Sequence, residues 1–151
     1  MNLNNSFSYL RLTIIVVMLD FISKQWIIKS FKLGQVISLT PFLNIVYTQN
    51  YGVALNFFTT KQGWKFWVLI IIQIILISRC IYIYTVQKSN HLAWALIIAG
   101  SLGNCSDRIL HGFVIDFIDF RLINNLHFPT FNLADLAICM GIIIILIKKS
   151  Y

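Results

Sequence analysis

The stretch LADLAICMGIIIILIKK, residues 133–149, decides how the rest of the chain is read. Its apolar run ends in Lys148 and Lys149, whose stems can lie along lipid while the ammonium groups reach headgroups. With polar ends and local thinning allowed for, the run is near the ~20 residues that a membrane-spanning helix needs. It opens with an aspartate, Asp135, and an ionised carboxylate at such an edge is costly unless something pairs with it or uses it.

The whole chain supports the membrane reading. Of 151 residues, 58% are hydrophobic and 11% charged, against roughly 25% charged in an ordinary soluble domain. Three further apolar runs, at about 10–28, 66–84 and 91–107, bring the expected spanning helices to four in a single domain, residues 1–151. The first run has too short a core and no small-residue cleavage site for a removable leader, and is expected to be retained. The net charge of +7 is scattered singly at the ends of apolar runs, which points to headgroups and away from nucleic acid. Cys80, Cys105 and Cys139 lack pair spacing, and His91, His111 and His127 lack ligand spacing. No disulfide, metal or cofactor is expected.

Two long connections, about 30–65 and 108–132, must emerge on one membrane face; both termini and the short turn TVQKSN lie on the other. Within the first, VISLTPFLNIVYT (residues 36–48) has the β-branched and aromatic content of strands, with Pro41 suited to an edge or bend. GVALNFF, residues 52–58, is apolar enough to dip into the interface. Lys and Arg fall on both faces, so their count leaves the orientation open.

Polar residues in or beside apolar segments are expensive and mark interiors or functional sites. Asp20 and Lys24 stand four apart on one face of the first helix, in the favourable order for a pair. GNCSDR, residues 103–108, brings Gly103, Asn104, Asp107 and the planar fork of Arg108 to the end of the third. Asp107 beside Arg108 also reads as a locally paired helix end. In FPTFNLAD, residues 128–135, Asn132 is placed as N-cap with Asp135 at the third helical position. There Asp135 also meets the positive end of the helix dipole. GFVIDFIDFRL, residues 112–122, adds Asp116 and Asp119; Asp119 reads as a loop carboxylate with Arg121 at hand.

All these segments share one face, so Asp116 and Asp135 can approach each other where Asn104, Arg108 and Asn132 gather. Two close carboxylates resist double ionisation, and one keeps its proton near neutral pH. One can then accept a proton from water while the other donates to a carbonyl oxygen or leaving amine. That is the chemistry of aspartyl peptide hydrolysis.

In order along the chain, DFISK (20–24), NYGVA (50–54), GNCSDR (103–108), GFVIDFI (112–118) and FPTFNLADLAICMG (128–141) resemble the lipoprotein signal peptidases, the type II signal peptidases of bacterial inner membranes. The resemblance implies an all-α membrane core of four spanning helices, cytoplasmic termini, a small extracytoplasmic β-like cradle and an interfacial segment. It implies Asp116 and Asp135 as the catalytic pair, supported by Asp20, Lys24, Asn50, Gly52, Asn104, Asp107, Arg108, Asn132 and Ala134. The implied substrates are diacylglyceryl-modified prolipoproteins, cut before the lipidated cysteine in contact with membrane lipids, and the implied inhibitors are of the globomycin type. Val53 and Leu55 depart from the family's usual Ala and Phe in the second block, keeping it apolar. A second reading is a small membrane transporter or assembly subunit that uses its intramembrane charges for passage. Four helices leave that reading little room for a pore.

Overall fold

The computed structural model describes residues 3–52, 64–86, 90–121 and 127–149. Four helices, α1 (Leu3–Ser30), α2 (Trp64–Val86), α3 (His91–His111) and α4 (Leu133–Lys149), accompany three strands, β1 (Val36–Ser38), β2 (Leu43–Asn50) and β3 (Val114–Phe120). The helices begin or end beyond the apolar runs. The clearest case is α3, which passes through Asn104, Asp107 and Arg108 and stops only at His111. Gly112 supplies the left-handed residue there (φ 82°) and its N–H returns to the Arg108 carbonyl. The polar sequence that looks like a helix end stays helical because each of those side chains finds a partner on another element. Arg108 is therefore a helix residue, not the start of a connection.

α3 is the central helix and packs against α1, α2 and α4. Its contact with α4 is built on small residues, which let the two backbones approach closely. A Cβ on Gly100 would run into the Ala134 carbonyl and the Ile138 side chain, and one on Gly141 would lie 2.6 Å from the Ala93 carbonyl. Gly100→Ala must push α4 away or strain it; a loss of about 1–3 kcal/mol is expected, read as a lowered melting temperature in detergent. An unchanged melting temperature would show that the two backbones have slack.

The strands form one antiparallel sheet in the order β1-β2-β3. The expected strand region, 36–48, does form the β1–β2 hairpin, with Pro41 in the connection. β3 lay unassigned in the second connection, because Val114 to Phe117 are buried on both faces and show no alternation to read. Against β3, Val46 and Tyr47 of β2 together oppose Phe117: the pairing passes from Ile45–Ile118 directly to Thr48–Asp116. Such a bulge bends the strand and re-aims its side chains, here next to Asp116. On the other edge of β3, Phe131 exchanges backbone hydrogen bonds with Ile118, which carries the chain into α4 beside Asp116. Ile27 and Phe31 of α1 pack with Tyr47, Ile115 and Phe117 and seat the sheet on the helices.

By length and composition, one helix among the described residues, within α2 (Phe66–Val86), is able to cross a membrane. Charges interrupt α1 and α3, and α4 has only 17 residues. The segment 53–58 expected at the interface, with Val53 and Leu55, lies outside the described residues, as do residues 87–89 of the short turn.

Candidate active site

The chain has five acidic residues, and four of them, with Lys24 and Arg108, belong to one buried polar centre where α1, α3, β3 and the start of α4 meet. Lys24 is wholly buried. Its ammonium contacts Asp20 Oδ2 at 2.7 Å, Asp107 Oδ2 at 2.8 Å and Asn104 Oδ1 at 3.1 Å, one acceptor for each of its three protons. Asp107 is thus paired with Lys24 and not with its neighbour Arg108. Both aspartates also hold backbone. Asp20 Oδ1 accepts the Ala134 N–H at 2.9 Å, and Asp107 Oδ2 accepts the Ile115 N–H at 3.1 Å. One ion cluster therefore fixes the first turn of α4 and the start of β3.

The expected cap at α4 is present. Asn132 Oδ1 accepts the Asp135 N–H at 2.9 Å, while Asp135 Oδ2 accepts the Asn132 N–H at 3.3 Å. The same Asn132 side chain does more than cap. Its Nδ2 donates to Asp116 Oδ1 at 2.7 Å, to Asn104 Oδ1 at 3.1 Å and to the Ile115 carbonyl at 3.2 Å. Asn104 Nδ2 donates to Asp135 Oδ1 at 2.7 Å. Each carboxylate is thus held by one of two amides that are bonded to each other. Capping and site-building use different atoms of the same two side chains, Asn132 and Asp135, so the two readings of FPTFNLAD do not compete.

Asp116 is almost wholly buried, and Asn50 Nδ2 donates to its second oxygen at 3.0 Å. Burial, and then the Asp135 carboxylate, push the Asp116 carboxyl from its ordinary 3.8 up to about 7; the Asn50 and Asn132 hydrogen bonds pull against them. Asp135 is the more open of the two. Asn50 and Asn132 both donate to Asp116, so their amides position that carboxyl. Arg108 also sits one contact out: Nη2 donates to the Gly52 carbonyl at 3.0 Å, and Nη1 to Gln73 Oε1 at 3.1 Å and the Asn104 carbonyl at 3.2 Å.

Three residues outside the expected set touch this machinery. Thr48 donates its hydroxyl to the Asp116 carbonyl at 3.0 Å and lies 3.0 Å from the Thr130 hydroxyl, which must then be the donor of that pair. Together they tie β2, β3 and the approach to α4. The other is Gln73, a lone amide among the isoleucines of α2, and its place in an apolar run was a signal the sequence carried. Asp119 is not a loop residue. It lies buried in β3, with Asn44 Nδ2 at 2.8 Å and His127 Nδ1 at 2.8 Å. Among the described residues no three His, Cys, Asp or Glu side chains are grouped to hold a metal ion.

Fold and site together define a class: a small four-helix protein in which helix ends and a sheet edge converge on two amide-held carboxylates. Residues 12–150 match the family described as signal peptidase (SPase) II. Lipoprotein signal peptidases of Yersinia pestis (strain Pestoides F) and Yersinia pseudotuberculosis serotype IB (strain PB1/+) are 44% identical over 144 residues, covering 93% of this chain and 85% of theirs. Two solved bacterial membrane enzymes, determined by the in meso method at 2.3 and 1.9 Å, superpose with TM-scores of 0.84 and 0.82. Both are 33% identical; the alignments cover 93% of this chain and 86% and 91% of those chains. The chain belongs to the signal peptidase II family, and is by that membership a peptidase.

Proposed function

We propose that the protein is an aspartyl endopeptidase of the bacterial inner membrane that removes the signal peptide from diacylglyceryl-modified prolipoproteins, cutting before the lipidated cysteine. The observation that carries the mechanism is the bonded amide pair Asn104–Asn132, which holds Asp135 on one side and Asp116 on the other. Burial and the neighbouring carboxylate keep the proton on Asp116, and the positive end of the α4 dipole makes Asp135 the base in this reading. Asp135 takes a proton from a water between the two, Asp116 polarises the scissile carbonyl, and the leaving amine collects a proton as the tetrahedral intermediate collapses. The names of the relatives support the substrate class, and the two solved membrane enzymes support a membrane setting.

In this reading the chain is one integral membrane domain whose four helices all span. Ile14, Ile15, Met18 and Ile22 of α1, Ile71, Ile72, Ile75 and Leu76 of α2, Leu102 and Ile109 of α3, and Ile142, Ile143 and Leu146 of α4 face outward, as lipid-bathed surfaces do. Trp26, Trp64 and Trp67 are exposed at the sheet end, where an aromatic belt would mark the interface. The termini then lie in the cytoplasm and the polar centre at the outer face, the lipid chains of the precursor staying in the bilayer. Inhibition by globomycin-type peptides belongs to the same reading.

The test is cleavage of a lipidated precursor by the purified protein across pH. Below about 7 Asp116 holds its proton; above it that carboxyl ionises and the acid is lost. Activity should therefore fall on the alkaline side with a midpoint near 7. Activity that keeps rising to pH 9 would remove Asp116 from the role of acid.

A further inference from the structure

Gln73 lies ten residues into α2, flanked by Ile71, Ile72, Ile74 and Ile75. An amide there costs free energy unless its groups are satisfied. Both ends are. Nε2 donates to the Ser101 carbonyl at 3.0 Å, and Oε1 accepts from Arg108 Nη1 at 3.1 Å. Ser101 and Arg108 stand seven apart on α3, two turns along one face. Anchoring Nε2 to a carbonyl, which can only accept, fixes the flip of the amide and turns its oxygen towards the guanidinium.

The chain of bonds continues from there. Arg108 Nη2 holds the Gly52 carbonyl at 3.0 Å, the Gly52 N–H donates to Asn50 Oδ1 at 3.0 Å, and Asn50 Nδ2 donates to Asp116 Oδ2 at 3.0 Å. Without Gln73, Arg108 Nη1 keeps only the Asn104 carbonyl of its own helix, which does not hold the guanidinium plane towards Gly52. We infer that Gln73 is a positioning residue for peptide hydrolysis, acting through Arg108, Gly52 and Asn50 on the Asp116 carboxyl. The inference rests on the aspartyl reading above.

The bland alternative is that Gln73 merely pins α2 to α3. The two differ in what they move. Gln73→Met keeps the volume and removes both bonds. If the amide positions Asp116, kcat/KM falls about tenfold, the worth of one lost hydrogen bond carried to the transition state. The alkaline limb also moves up by about 0.5–1 unit, because Asn50 no longer favours the ionised carboxyl as strongly. The charged groups acting on Asp116 are Asp135 of α4, Lys24 of α1 and Arg108 of α3; the substitution changes none of their charges, and an Arg108 freed to move away shifts the limb in the same upward direction. Gln73→Leu, a second apolar replacement among the isoleucines of α2, removes the same two bonds and is expected to show the same fall in kcat/KM and the same shift of the alkaline limb.

The experiment measures cleavage of a synthetic diacylglyceryl-modified precursor peptide by purified protein in detergent, with melting temperatures, for the parent, Gln73→Met, Gln73→Leu and Asp116→Asn. A destabilised Gln73→Met with parental kcat/KM and parental alkaline limb overturns the inference. Should Gln73→Met not fold, Gln73→Leu decides by the same two readouts: a folded protein with parental kcat/KM and parental alkaline limb overturns the inference, and one with both changed supports it. An active Asp116→Asn would instead sink the aspartyl reading itself, whatever Gln73 does.

Discussion

Asp116→Asn is expected to lower the rate of precursor cleavage by at least about 10³–10⁴-fold while leaving the protein folded. Asn matches the carboxylate in shape and still offers an oxygen to one of the two amide donors, Asn50 or Asn132, that now hold both oxygens. It cannot carry the proton that the reaction passes. General acid–base catalysis contributes about 10²–10⁴-fold, and losing the paired charge state adds to that, so the barrier rises by about 4–5.5 kcal/mol. The structural cost is one unmatched amide contact, about 1–3 kcal/mol. Asp135→Asn should behave alike, and the double variant should be little worse than either, since the two act as a unit. The measurement is single-turnover cleavage beside a melting curve. A folded Asp116→Asn that processes at the parental rate removes this residue from the chemistry.

Lys24→Met is expected to cost about 3–5 kcal/mol of stability, a large share of the roughly 5–15 kcal/mol that holds a typical domain together. Met fills the space of the lysine stem, so packing is not what fails. The ammonium is the shared partner of Asp20 and Asp107, both almost wholly buried. Removing it leaves two carboxylates facing each other without a cation, and each of them also holds backbone: Asp20 at the first turn of α4, Asp107 at β3. Those are the elements that carry Asp135 and Asp116, so activity should fall with stability although Lys24 touches neither carboxylate in the hydrogen-bond pattern. Thermal unfolding in detergent decides it. A Lys24→Met protein that melts with the parent would show that the aspartates find other partners or take up protons at little cost.

The four helices were legible because apolar runs and their polar ends follow directly from the price of placing charge in an apolar setting. The helix cap at Asn132 was legible too, since its pattern is local: an N-cap amide and an acid three residues on. β3 was not, because a strand buried on both faces has no alternation to betray it. α3 runs past its expected end at about 107 to His111. Arg108 looks like a residue that leaves a helix, and it stays in one because Gly52 and Gln73 meet it from elsewhere in the chain.

The sequence by itself determined which residues are too polar for their surroundings, and so which ones had to be brought together: Asp20, Lys24, Asn104, Asp107, Arg108, Asp116, Asn132 and Asp135. Only the tertiary structure decided the pairing. It turned Asp107 from Arg108 to Lys24, gave the second oxygen of Asp116 to Asn50, and recruited Thr48 and Gln73, which were not among the candidate site residues. The physical reason is reach. Composition and spacing report the cost of burying a group, which is a property of the residue, whereas the partners that only the structure supplied lie 35 to 83 residues away and are set by how the helices and the bulged sheet pack.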